Sequence, residues 1–323
     1  MCTRIFWNGN PIAKVVSRTI DWEVSDEPGM WVLPRGLRRG GDTGPGAATW
    51  TSRHGSVSMS GWNAGTGECV NEHGLAAHAL YLGEARYEPE DGRPTISNVM
   101  WTQWVVDHFT TVAEALEGLR EVRVVPMRIH GQDMPLHLAL EDPSGDSAIV
   151  EMLDGRPVVH HGPEHTVMAN DPSYEKQLAN ARRYEVFGGD EHLPGDIISA
   201  DRFVRAKYFL EHLPEPANEL EALAGVVGLA RNVSIPFGAP DNLFPSYPTW
   251  WLSAADLTNR VYGFQSTRSP SFIWLDLREL DFSEGAGVRM LDPTDVTLVG
   301  DVRDRLRPAE LPFGLPAGAG AAA

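Results

Sequence analysis

Cysteine is nearly missing from this chain: Cys2 and Cys69 are the only two in 323 residues. Two thiols make no disulfide framework, so the fold must rest on its core, and reduced thiols fit a cytoplasmic setting. Basic residues are also in deficit. The 27 Lys and Arg face 44 Asp and Glu, a formal charge of −17. That argues against nucleic acid and anionic membrane as partners, since both need basic patches. No apolar run approaches a membrane span, and Leu75–Leu82, among the longest, is interrupted by His78. No basic and apolar leader precedes Cys2, so neither a secretory signal nor a lipoprotein cysteine is indicated, and the expected location is the cytoplasm.

Cofactor signatures are absent as well. No Gly-rich phosphate loop opens a helix. The His-rich stretch Val159–His165 matches no zinc spacing and reads as a polar strand-to-loop junction. His73 and His78, five apart on an expected strand, face opposite sides. No Cys–His–Asn protease pattern surrounds Cys69, which reads as a small core residue. Neither metal nor cofactor is expected.

What is present is an ordinary globular composition, 42% hydrophobic and 22% charged. The length allows two domains or one large one. Thr3–Trp7 and Ala13–Ile20 flank Asn8-Gly9-Asn10-Pro11, a hairpin signal. Gly29–Pro34 is a short apolar run, and Arg35–Ala48 a Gly-rich surface loop. Strands are expected at Thr49–Ser52, Ser56–Gly61, Glu68–Asn71 and Leu75–Leu82. The period then changes. Thr95–Phe109 and Val112–Glu121 suit helices, with Thr95 or Thr111 as caps. Strands return at Val122–Ile129, Leu136–Glu141, Ser147–Leu153 and Arg156–His160. Helices dominate from Ser173 to Ala230, clearest at Asp201–Leu213 and Ala217–Leu229. A last strand group covers Trp250–Ala254, Arg260–Ser266 and Phe272–Leu277. Repeated hairpins imply antiparallel sheets, and two packed sheets with helices outside make a four-layer αββα sandwich of the α+β class. One domain over residues 1–312 is expected, followed by a low-complexity, disordered tail at 313–323.

Cys2 follows the initiator Met directly. Removing Met1 gives one residue both a thiol nucleophile and an α-amine base, with ordinary pKa values of about 8.5 and about 7.7–8.0. The apolar Ile5-Phe6-Trp7 that follows places Cys2 on a strand. Arg18 and Asp21, near the end of the second strand, lie close to Cys2 if the first two strands pair. Asp21 is then placed to hold the α-ammonium and Arg18 to favour the thiolate. Three apart, they point to opposite faces of an ideal strand, so a bulge near Thr19 is needed to bring both to one site. Taken alone, the two read as a surface ion pair.

Cys2 followed by Arg18-x-x-Asp21 resembles the choloylglycine hydrolase family of N-terminal nucleophile hydrolases, which holds bile salt hydrolases and penicillin V acylases. Asn71-Glu72-His73-Gly74-Leu75, Ala169-Asn170-Asp171-Pro172, and Leu193-Pro194-Gly195-Asp196 with Asp201-Arg202-Phe203 are similar to family segments. So are Trp251–Asp256 and Arg260–Phe264. All occur in family order from Cys2 to about Leu277.

The resemblance implies a cysteine amidase acting through an acyl-thioester on Cys2. It implies that Arg18 and Asp21 position Cys2. Asn170 would supply a side-chain N–H, and Tyr81 a backbone N–H, to the oxyanion. Arg202 would stabilise developing charge, with Arg205 as the alternative arginine. Tyr81 and the short Asn170–Arg202 spacing resemble the penicillin V acylase branch, which includes acyl-homoserine-lactone acylases, more than the bile salt hydrolases with their tetramer-forming insertion. The oligomeric state, a homo-oligomer included, stays open. Trp22, Met59 and Trp62 are candidates for an apolar acyl pocket, and equally for ordinary core. The expected partner is a small acyl amide. The alternatives are a conjugated bile acid hydrolase and a non-catalytic acyl-amide binder.

Overall fold

The computed structural model describes residues 2–129, 131–240 and 247–315. Strands come first: β1 (Cys2–Trp7), β2 (Val15–Asp21), β3 (Gly29–Leu33), β4 (Arg38–Gly40), β5 (Thr49–Thr51), β6 (Ser56–Gly61), β7 (Gly65–Asn71), β8 (Ala76–Tyr81) and β9 (Thr95–Ser97). Helices α1 (Trp101–His108) and α2 (Val112–Gly118) follow, then β10 (Arg123–Val125), β11 (Arg128–Ile129), β12 (Gln132–Asp133), β13 (Leu136–Glu141), β14 (Ser147–Leu153), β15 (Arg156–His161) and β16 (Val167–Ala169). After α3 (Tyr174–Ala181), α4 (Ser199–Glu211) and α5 (Glu219–Val233), the chain returns to strands: β17 (Thr249–Asp256), β18 (Val261–Ser266), β19 (Ile273–Asp276), β20 (Arg289–Leu291), β21 (Gly300–Asp301) and β22 (Arg307–Pro308).

Two sheets form the centre. One has the order β16-β1-β2-β17-β18-β19-β21, the other β15-β14-β13-β8-β7-β6-β3-β20-β22. Strand alternation sorts side chains into layers. Ile5 and Val15 turn outward onto Phe203 of α4 and Val226 of α5. Phe6 and Val16 turn inward onto Val57, Met59 and Val70 of the second sheet. On that sheet's far side, Cys69, Ala77 and Leu138 pack against Trp101, Trp104 and Val105 of α1. The layers run α3–α5, sheet, sheet, α1–α2, an αββα sandwich as the strand order implies.

Some local expectations yield to packing. Thr95 caps no helix. It begins β9, which pairs in parallel with β10, and Ser97 caps the helical turn instead, accepting from Val99 N–H. Thr111 does cap α2, through Glu114 N–H. Val122–Ile129 is not one strand but β10 and β11, parted at Pro126, whose ring removes a ladder donor. The stretch 35–48 is not all surface loop. β4 pairs with β5, and Arg39 is buried with its Nε 3.3 Å from Asp107. The start of the expected tail carries packing too: Phe313 is buried edge-on against Trp31. The rest of that tail, residues 316–323, lies outside the described residues, as does the expected loss of Met1.

Candidate active site

β1 and β2 pair antiparallel with Cys2 opposite Ile20 and Arg4 opposite Arg18. Residues opposite each other share a face. Cys2, Arg4, Arg18 and Ile20 therefore face the second sheet, while Thr3, Thr19 and Asp21 face α4. This resolves the spacing of Arg18 and Asp21. They do lie on opposite faces, and the irregularity sits not at Thr19 but on β17, between Thr249 and Trp251, opposite Ile20 and Asp21. Both residues nonetheless reach the wall of the cavity that Cys2 opens into.

Arg18 crosses to the second sheet. Its Nη1 donates to Gly67 O (2.6 Å) and its Nη2 to Ala79 O (2.8 Å), with Cys2 Sγ 3.9 Å from Nη2. A Cβ at Gly67 would stand 3.1 Å from Nη1, so glycine is what admits the guanidinium there. Burial works against the Arg18 charge, but Cys2 and then Glu68 outweigh it and raise its pKa.

Asp21 is fully buried. Its Oδ2 accepts from Arg202 Nη1 (2.7 Å) and its Oδ1 from Thr249 Oγ1 (2.6 Å). Arg202 Nη1 also donates to Thr3 Oγ1 (2.6 Å), and its Nε to Ile197 O (2.9 Å). Arg202 thus stands behind Cys2, one residue removed through Thr3 and Asp21. Arg205, a turn further on α4, donates to Pro194 O and Asp196 O in the loop before the helix. Geometry separates the two arginines that the sequence leaves open.

Asn170 follows β16, whose Ala169 pairs with Thr3. Its Oδ1 accepts from the Cys2 main-chain N–H, and its Nδ2 donates to Tyr81 O (2.5 Å). The two residues expected to bind an oxyanion are bonded to each other beside Cys2. Gln177 of α3 holds this loop by donating from Nε2 to Asn170 O and to Pro172 O (2.9 Å). Tyr81 ends β8, beyond the last residue that pairs with β7.

The cavity holds about 710 Å³ of empty space, part of it open to solvent. Of the two readings left open for Trp22, Met59 and Trp62, the structure puts all three at the cavity wall, and Trp22 packs its ring 5.7 Å from that of Tyr81. Sequence reasoning missed Val99, Met134, Leu136, Trp251 and Asp26, which line it as well. Their only signal is long-range pairing, such as β17 beside β2, which is invisible locally. Asp26 accepts from Trp251 Nε1 (2.9 Å), and burial pushes its carboxyl up to about 6, against the opposing pull of Trp251 and Arg18.

Also missed was a set of buried charges between the sheets: Arg4, Glu68, His78 and Glu141. Cys69, by contrast, is the small core residue expected, its thiol pushed up to about 11 by burial. His160 and His165 sit around the Tyr174 ring, and His161 Nε2 lies 2.8 Å from Asp146, as a polar junction would have them. His54, Glu72 and His73 bring potential ligand atoms within 4.8 Å of one another. Glu72, however, already accepts from both arms of Arg35 and from Gly55 N–H.

Comparison with known proteins places the chain in a family. Residues 2–296 match the family model described as linear amide C–N hydrolases, choloylglycine hydrolase family. A penicillin V acylase of Pectobacterium atrosepticum is 34% identical, covering 97% of this chain and 91% of the relative. A bile salt hydrolase/transferase of Bifidobacterium longum is 28% identical over 68% of this chain and 77% of its own. The structure of penicillin V acylase from Agrobacterium tumefaciens superposes with TM-score 0.88 at 36% identity, covering 98% of this chain and 99% of that one. A conjugated bile acid hydrolase from Clostridium perfringens shares the fold at TM-score 0.78 and 19% identity, over 90% and 96% of the two chains. The family match and the likeness along nearly the whole chain establish that this chain belongs to the choloylglycine hydrolase family and is a hydrolase of linear amide C–N bonds.

Proposed function

We propose that the protein cleaves small acyl amides of the penicillin V or acyl-homoserine-lactone kind, with Cys2 as nucleophile once Met1 is removed. The observation that carries this is the placement of Cys2. It lines the apolar cavity with its sulfur beside Arg18 and its nitrogen on Asn170. The thiolate attacks the amide carbon and forms the C–S bond. The C–N bond then breaks, and the α-ammonium gives its proton to the departing amine. Water, deprotonated by the α-amine, releases the acid and restores Cys2. Asn170 Nδ2 and the Tyr81 backbone N–H are the donors for the oxyanion, and Asn170 exchanges its bond to Tyr81 O for the substrate oxygen. Arg18 favours the thiolate. Asp21 and Arg202 hold the start of β1 from the helix side.

Trp22, Met59, Trp62 and Trp251 favour a flat or slender apolar acyl group, which is why a phenoxyacetyl or fatty acyl chain ranks above a steroid acid. The alternative, conjugated bile acid hydrolysis, would place a bulkier steroid against the same apolar lining. Two free cysteines support placing this chemistry in the cytoplasm. Cell fractionation tests that placement. The reaction is tested by intact mass before and after incubation with a phenoxyacetyl amide. Loss of Met1 and a transient acyl adduct that vanishes in Cys2→Ala are expected. A retained Met1 with no adduct would turn the reading to a binding protein.

A further inference from the structure

Behind Arg18, between the two sheets, lies a row of fully buried ionisable groups. Arg4 and Arg18 are directly opposed on β1 and β2, an arrangement that like charges tolerate only with anions set between them. The anions come from the second sheet. Glu68 Oε2 lies 3.6 Å from Arg18 Nη1, and Glu141 Oε2 accepts from Arg4 Nε (2.8 Å) and Nη2. His78 sits between the two carboxylates. Its Nδ1 is 3.5 Å from that same Glu68 Oε2, and its Nε2 is 2.6 Å from Glu141 Oε1. Arg4, Glu68, His78 and Glu141 are each at most 1% exposed.

The other groups facing this row are few. Tyr262 of β18 donates its O–H to Glu68 Oε1. Asp26 lies in the field of Glu68 and Arg18. Arg4 reaches Ser147 Oγ (2.7 Å) and His165 O (2.8 Å), with Tyr174 and the His165 ring beyond. Cys2 Sγ closes the row at Arg18.

Charge counting gives this row a purpose. Two arginines and two carboxylates cancel. With His78 neutral, Glu68 belongs to Arg18 alone, and no positive charge is left for the sulfur. With His78 protonated, Glu68 is shared between two cations, and the surplus positive charge faces Cys2. We propose that His78, set between Glu68 and Glu141, acts through Glu68 to keep Arg18 electrically available to the Cys2 thiolate. This rests on Cys2 being the nucleophile, as argued above. Burial opposes the His78 charge, but Glu141 and then Glu68 outweigh it and raise its pKa. Burial likewise opposes the Glu68 charge and is outweighed by His78 first, then by Arg18 and Tyr262. The backbone bonds of Arg18 to Gly67 O and Ala79 O fix the guanidinium independently of Glu68. Charge, rather than placement, is therefore what Glu68 and His78 control.

The variants His78→Gln and Glu68→Gln consequently act in opposite directions. The readout is the rate of Cys2 alkylation by iodoacetamide from pH 5 to 9, with Cys2 assigned by peptide mass mapping and turnover of a phenoxyacetyl amide followed in parallel. His78→Gln leaves Glu68 to Arg18 alone, so the thiol titrates higher, by about half a pH unit or more, and alkylation at pH 6 slows about threefold. Glu68→Gln frees Arg18, and the thiol titrates lower than in the unaltered protein. Should His78→Gln fail to fold, Tyr262→Phe removes only the hydroxyl on Glu68 and gives a smaller upward shift. Profiles that coincide with the unaltered protein, or that move the same way in the two Gln variants, overturn the relay while leaving the nucleophile in place. Turnover that survives Cys2→Ala overturns the nucleophile itself and the relay with it.

Discussion

Two buried polar side chains show how one residue's surroundings decide between activity and stability. Asn170 joins the Cys2 nitrogen to the Tyr81 carbonyl. If Asn170 is the oxyanion donor proposed above, Asn170→Ala removes that donor together with the acceptor of the Cys2 N–H, and kcat for a phenoxyacetyl amide should fall by roughly 10²–10³. A melting temperature near that of the unaltered protein would tie the loss to chemistry. Asp26 lies at the other extreme. Burial lifts its carboxyl from 3.8 to about 6. The folded state then binds the proton more tightly than the unfolded chain, so stability falls as pH rises from about 4 to 6, and the penalty is complete at pH 7. Asp26→Asn retains an acceptor for Trp251 Nε1 and removes the penalty, on the order of 3 kcal/mol. Urea titration should show the gain at pH 7 and its near disappearance at pH 4. An equal gain at both values would mean that the carboxylate charge is not what costs stability.

At the scale of elements, period-two alternation explains why Cys2 and Asp21 meet from opposite faces of one hairpin. The hairpin itself was legible, because Asn8-Gly9-Asn10-Pro11 leaves few ways to join two β-prone runs. So were the helices on either side of Pro214, the second of which is capped by Asn218 accepting from Glu221 N–H. The bulge on β17 was not legible, because nothing local in Thr249-Trp250-Trp251 records that the strand must yield to Asp21. The choice between Arg202 and Arg205 was also hidden, since both lie in one helical turn and only docking on β1 buries one of them. Arg202→Lys keeps the charge but cannot span Thr3, Asp21 and Ile197 O together, so kcat/KM should drop by about tenfold or more. Arg205→Lys should change it less than about twofold. Comparable losses in the two variants would mean that α4 tilts as a whole and that no single arginine is special.

For the whole molecule, composition read the class correctly and the field only in outline. Layers and core follow from periodicity, but the row Arg4–Glu141–His78–Glu68–Arg18 did not, because each member looked like a polar interruption in an apolar strand until the two sheets were brought together. The charge of −17, which first served only to exclude partners, acts on the substrate too. Among the described residues lining the cavity, Arg18 is the one basic side chain, against Asp21 and Asp26. Leaving amines that carry an anion (the penam carboxylate, glycine, taurine) approach against this field, whereas a homoserine lactone approaches without charge. Raising ionic strength from about 0.01 to about 0.15 M shortens the screening length from about 30 to about 8 Å. Over that range kcat/KM for anionic substrates should rise about two- to threefold and that for a neutral acyl-homoserine lactone should stay flat. A fall with salt for the anionic substrates would mean that Arg18 dominates the approach over the negative surface. The preference among leaving groups would then belong to the cavity rather than to the molecule.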